Sequence, residues 1–155
     1  MVHVLTTPHH HPHPHPSPSP VVLVSHRVTH VGDVAAVHDI AGLVAAGRLQ
    51  SDVVIVVLDN GGGAIFSFLP VAKEIDNDRF DALFTTPHHT NLIGIASSAG
   101  IRSEVIESPS DIQELLGRAF DSEGPSLFLC NTSIEETIKA YEDIRAGFQA
   151  SFREE

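Results

Sequence analysis

A carboxylate and a carboxamide, each beside glycine, are the residues best placed to do chemistry: Gly32-Asp33, and the run Leu58-Asp59-Asn60-Gly61-Gly62-Gly63-Ala64-Ile65-Phe66. Asp33 offers a carboxylate oxygen, Asn60 a side-chain carbonyl and Gly62 a backbone carbonyl. These are hard donors that suit Mg²⁺ shared with phosphate oxygens and water. A triple-glycine run, free of Cβ atoms and tolerant of φ > 0, lets the backbone come close to a bound group. The two segments read as halves of one metal and diphosphate site. Taken singly, each half has a plainer reading, since Gly-Asp before a helix is commonly an N-cap and Asn-Gly-Gly commonly a turn.

Both halves need strands to carry them. Residues 52–58 are nearly all Val and Ile and predict a buried strand, while 21–24 predict a short one, with 25–31 leading to Gly32-Asp33. Apolar spacing over 34–49 predicts a helix with Asp33 at or near its N-cap. Its first N–H groups, near Gly32 and Val34, favour a diphosphate that Gly63 faces from the other loop. Residues 66–75 predict a loop and a short helix, and 80–83 a further turn. Residues 91–99 predict a helix stopped by Gly100, 101–106 a strand, and 108–120 a helix; 126–130 predict a strand and 134–152 a terminal helix. Strands alternating with helices give an α/β fold, a parallel sheet flanked by helices, and both motifs fall at carboxyl ends of strands, where ligands gather in such sheets.

The bulk composition limits the alternatives. The chain has 155 residues, 42% hydrophobic, which is enough for one domain with a core. A net charge of −11 with nine Lys and Arg argues against nucleic acid as a partner. The single cysteine, Cys130, excludes an intrachain disulfide and points to a reducing, cytoplasmic setting. Its neighbours Leu127-Phe128-Leu129 make it a buried strand thiol. No apolar run reaches the roughly 20 residues of a membrane span. Residues 6–20 are Thr, His, Pro and Ser, a composition that predicts an extended, disordered tail over 1–20, ahead of the binding domain at 21–155. Its histidines are able to chelate transition metals, but the tail is read as solvated. The chain lacks both the Gly-x-x-x-x-Gly-Lys-Ser/Thr loop and the dinucleotide fingerprint. His38 is read as a packing or hydrogen-bonding residue. His88 and His89 follow Pro87 in a loop within reach of a substrate, and no catalytic role is assigned. Asp76, Asp78 and Arg79 are read as a solvated turn, and Glu135-Glu136 as a solvated helix face.

With Gly32-Asp33 and the Asn60 loop goes a wider pattern: Val34-Ala35-Ala36-Val37-His38-Asp39, the continuation Phe66-Ser67-Phe68-Leu69-Pro70, and Phe84-Thr85-Thr86-Pro87-His88. From Gly32 to the C-terminal helix the chain resembles the thiamine diphosphate-dependent enzymes. Within that group these segments look like the 2-succinyl-5-enolpyruvyl-6-hydroxy-3-cyclohexene-1-carboxylate synthases of the menaquinone pathway. The resemblance implies thiamine diphosphate and Mg²⁺ as cofactors, with Asp33, Asn60 and Gly62 as metal ligands. It also implies apolar contacts from Ile65 and Phe66 to the thiazolium ring and substrate. In the complete enzyme the substrates are 2-oxoglutarate and isochorismate. The sequence departs from the family at Asp59 and Gly61, where asparagines are common, and at the small Ala35-Ala36-Val37. Nothing in 17–31 matches the arginine-bearing segment that precedes Gly-Asp in the family. The pyrimidine-binding domain with its activating glutamate is absent, so the expected protein is a truncated cofactor-anchoring part, inactive alone, that needs a pyrimidine-binding domain or a homo-oligomer. The second reading is a non-catalytic remnant or interaction module of the same fold, and the third a metal-binding His-Pro arm on a carrier domain.

Overall fold

The computed structural model describes residues 5–9 and 24–152. Five strands form one sheet in the order β1-β2-β3-β5-β4: β1 (Leu5–His9), β2 (Val24–Gly32), β3 (Val53–Asp59), β5 (Ser126–Asn131) and β4 (Arg102–Val105). β2, β3, β5 and β4 are mutually parallel, and β1 runs antiparallel along the outer edge of β2. Around them lie α1 (Asp33–His38), α2 (Ile40–Leu49), α3 (Asn77–Phe80), α4 (Leu92–Ser98), α5 (Asp111–Phe120) and α6 (Ile134–Ser151).

Alternation along the central strands decides which helix packs where, because successive side chains of a strand face opposite ways. Ile55, Val57, Leu127 and Leu129 point to one face and are covered by Ala36, Leu43, Leu92 and Ala96 from α1, α2 and α4. Val54 and Phe128 point to the other and are covered by Leu115 and Ala119 of α5. The sheet is thus clothed on both sides, as near-continuous apolar strands require. Cys130 borders the second cluster, half-buried, with a free thiol.

Several elements differ from the sequence expectations. The helix expected over 34–49 is two helices meeting at Asp39, whose carboxylate accepts the Gly42 N–H at 3.2 Å and restarts the helix as an N-cap. α1 is therefore only six residues long. β2 occupies 24–32 rather than 21–24, although residues 21–23 lie outside the described ones. Within the expected tail, Leu5–His9 is an edge strand in which Pro8 lies opposite Ser25, a place where a missing N–H costs no interior ladder bond. The remaining tail histidines, from His10 to His15, lie outside the described residues. His38 is exposed rather than packed. Asp76 caps α3 by accepting the Arg79 N–H at 3.0 Å, and Glu136 closes a capping box with Ser133, so neither is merely a solvated charge.

Candidate functional site

Register brings the two motifs together. Gly32 lies opposite Leu58 in the parallel β2/β3 pair, so Asp33 and the Asp59-Asn60 loop leave the sheet side by side at its carboxyl end. Between β3 and α4 the chain makes two 3-10 turns (Ala64–Phe68 and Pro70–Lys73), then α3 and a π-helical turn (Asp81–Thr85), and this layered segment backs the glycine loop.

Asp33 is 3% exposed. Gly32, not Asp33, is the N-cap of α1, and no side chain caps that helix. The Asp33 carboxylate is directed instead at His88, whose Nε2 lies 3.2 Å from Asp33 Oδ2. The plainer reading of Gly-Asp as a cap is thereby removed. His88 is half-buried, and its Nδ1 accepts the Thr90 N–H at 3.0 Å. Left-handed conformations at Thr86 (φ 44°) and His89 (φ 50°) bracket Pro87-His88, folding the loop so that His88 turns inward while His89 stays exposed.

Across the strand gap, Asp59 Oδ1 accepts the Gly61 N–H at 3.0 Å. Asn60 donates its Nδ2 to Thr137 Oγ1 on α6 at 3.4 Å, and its Oδ1 is buried without a hydrogen-bond partner among the described residues. A buried acceptor left unpaired is costly and calls for an explanation. Gly61 and Gly62 take φ of 83° and 139°, and a Cβ at Gly62 would collide with the Thr85 carbonyl. The Gly63 N–H donates to that same carbonyl at 2.8 Å. Gly62 and Gly63 are thus needed for close approach to the chain behind them. The Gly62 carbonyl accepts the Ala64 N–H at 2.9 Å and keeps its second lone pair. A cleft of about 400 Å³ opens beside the loop, lined in part by Gly61, Ser67, Thr85 and Pro87. Ile65 is 71% exposed and Phe66 38%, an apolar pair in the turn that follows the glycines.

Among the described residues, Asp33, Asp59 and His88 each offer a ligand atom, and these atoms lie within 4.8 Å of one another. Carboxylate, amide and backbone oxygens are the donor types that hard divalent cations take, and the Asn60 oxygen is unpaired among the described residues. Sequence reasoning did not assign Asp59 and His88 to the site. Pairing register predicts Asp59, since whatever follows Leu58 must neighbour Asp33. No local pattern predicts His88, which arrives by a loop bent at two left-handed residues.

Residues 23–130 match a family model described as thiamine pyrophosphate enzyme, C-terminal TPP binding domain. Over 78 residues the chain is 41% identical to the 2-succinyl-5-enolpyruvyl-6-hydroxy-3-cyclohexene-1-carboxylate synthase of Myxococcus xanthus, covering 50% of this chain and 13% of that protein. Over 120 residues it is 32% identical to the synthase of the same name from Chlorobium limicola, covering 77% of this chain and 20% of that protein. Among solved structures, benzoylformate decarboxylase from Polynucleobacter necessarius superposes with a TM-score of 0.59 at 16% identity, over 69% of this chain and 19% of that one. A thiamine diphosphate-dependent 4-hydroxybenzoylformate decarboxylase from Rhodococcus jostii gives 0.57 at 22%, over 68% and 19%. At these identities the superpositions speak for the fold alone. The chain spans about a fifth or less of the length of these relatives.

Proposed function

This chain belongs to the thiamine pyrophosphate enzymes, as their C-terminal cofactor-binding domain, and from that premise we propose that it anchors the diphosphate of thiamine diphosphate through Mg²⁺. Asp33, Asn60 and Gly62 are the metal ligands in this reading, with Gly32, Val34 and Gly63 lining the diphosphate and Ile65 and Phe66 facing the thiazolium ring. The observation that carries it is the buried Asn60 Oδ1, unpaired among the described residues while Thr137 fixes the other end of the amide. A cation would satisfy that oxygen. The six-residue α1 adds less dipole than a sixteen-residue helix would, which leaves more of the anion's neutralisation to the metal. Thiamine diphosphate, when bound, supplies a nucleophilic thiazolium carbon for addition to 2-oxo acids.

The parent activity is read as that of a 2-succinyl-5-enolpyruvyl-6-hydroxy-3-cyclohexene-1-carboxylate synthase, which decarboxylates 2-oxoglutarate and adds the remainder to isochorismate. The exposed Ile65 and Phe66 support a site completed by another domain or subunit, because an exposed apolar pair gains by being covered. On this reading the chain alone is inactive and works in the cytoplasm. No helix among the described residues is long and apolar enough to cross a membrane.

Calorimetry tests the anchor directly. Titrating thiamine diphosphate into the protein gives binding heat with Mg²⁺ and none with a chelator, and Asn60→Ala weakens binding by about tenfold or more, at least the lower bound for disturbing a metal's surroundings. No heat from the wild-type chain at millimolar cofactor overturns the anchor and leaves a non-catalytic module of the same fold.

A further inference from the structure

Three donors within 4.8 Å invite the view that Asp33, Asp59 and His88 together ligate the ion. The hydrogen bonds around His88 argue otherwise. Its Nδ1 accepts the Thr90 backbone N–H at 3.0 Å, and a nitrogen that accepts carries no proton. The ring's proton must then sit on Nε2, which points at Asp33 Oδ2 from 3.2 Å. A protonated Nε2 has no lone pair for a metal. Thr90 holds the loop a second time, its Oγ1 donating to the His88 carbonyl at 3.3 Å.

We propose that His88 is a positioning residue of the cation site: its tautomer, set by Thr90, makes Nε2–H the donor that immobilises Asp33 Oδ2 and leaves Oδ1 as the oxygen that meets the ion. The proposal rests on the metal-anchoring reading above and adds the residue that aims the ligand. Asp33 is buried, and His88 is the hydrogen-bond partner that the structure gives its carboxylate. Without that donor the carboxylate would be free to rotate about its Cβ–Cγ bond and would turn the wrong oxygen toward the ion part of the time. Outer partners that orient a ligand in this way contribute substantially to metal affinity.

The full chain, with Mn²⁺ as probe and thiamine diphosphate present, provides the test by paramagnetic resonance titration. His88→Leu lowers Mn²⁺ affinity about tenfold, the lower end expected for loss of an orienting partner, and His88→Gln, whose amide N–H reaches a similar point, recovers most of it. Nitrogen-15 spectra of the wild-type histidines show His88 unprotonated at Nδ1 and protonated at Nε2, both before and after saturation with Mg²⁺ and cofactor. Loss of the Nε2 proton on Mg²⁺ binding makes His88 a ligand and overturns the proposal, as does the opposite tautomer at the start. Wild-type binding that His88→Leu leaves intact overturns the role of His88 alone, whereas absence of Mn²⁺ binding by the wild type overturns the anchoring reading itself. The spectra and the His88→Gln titration decide the matter if His88→Leu does not fold.

Discussion

Asp33→Asn abolishes cofactor anchoring while leaving the fold in place. The substitution keeps the shape of the side chain and an oxygen able to accept from His88, so packing at the start of α1 is undisturbed. It removes the buried one of the two carboxylates, Asp33 and Asp59, that a cation would meet at this end of the sheet. Because a ligand contributes more than the residue that orients it, thiamine diphosphate and Mg²⁺ affinity measured by calorimetry falls by more than about 100-fold. Stability moves the other way or not at all: a buried carboxylate costs free energy to desolvate, and replacing it with a neutral isostere changes unfolding by no more than about 1 kcal/mol. Calorimetric affinity equal to wild type would remove Asp33 from the site, and with it the metal reading. A large loss of stability would instead make Asp33 a structural residue.

The second large effect concerns Gly62. Its φ of 139° is open to almost no other residue, and any Cβ would be driven into the Thr85 carbonyl. Gly62→Ala therefore costs about 3 kcal/mol or more in urea unfolding, combining backbone strain with overpacking. Against a total of roughly 5–15 kcal/mol that is enough to threaten the fold. A matched control lies on α5, where a Cβ added to Gly117 meets nothing within 4 Å. There the alanine stabilises by about 0.5–1 kcal/mol through helix propensity. Equal unfolding curves for the two variants would mean that the glycine loop does not press on the segment behind it.

How much of this could be read from the residues depends on how local the cause is. β3 and β5 are legible because Val53–Asp59 and Ser126–Asn131 are buried apolar runs whose character is set by their own side chains. The stop of α4 is legible because Gly100 adopts φ 80°, which few other residues tolerate. The break at Asp39 is hidden within an apolar periodicity that continues through it, since the competing event is a single carboxylate capturing the Gly42 N–H. β2 is masked by its polar content, Ser25 to His30, which strand pairing tolerates but apolar patterning does not detect. The edge strand at Leu5–His9 is likewise invisible to composition, because a His and Pro tract looks the same whether it is solvated or laid beside a neighbour. At the site, Asp33 and Asn60 stand out in the sequence because each adjoins glycine at the end of a strand. The Asn60 contact to Thr137 and the Asp33 contact to His88 join residues 77 and 55 positions apart, and only the assembled sheet creates them.

The terminal helix carries one more consequence. α6 has a capped start at Ser133 yet buries none of its eighteen residues, and Ile144, Phe148 and Phe152 are each at least 66% exposed. It is held to the body by the Phe68–Tyr141 ring contact, with centroids 4.6 Å apart, and by the long bond from Asn60 to Thr137. Deuterium uptake followed by mass spectrometry will therefore run ahead at the amides of α6, while Val54 and Val57 in β3 exchange last. Were that arm to lift, the Asn60 carboxamide would lose its brace, so on the proposed anchoring reading the grip on a cation and the docking of the last helix are coupled through one amide.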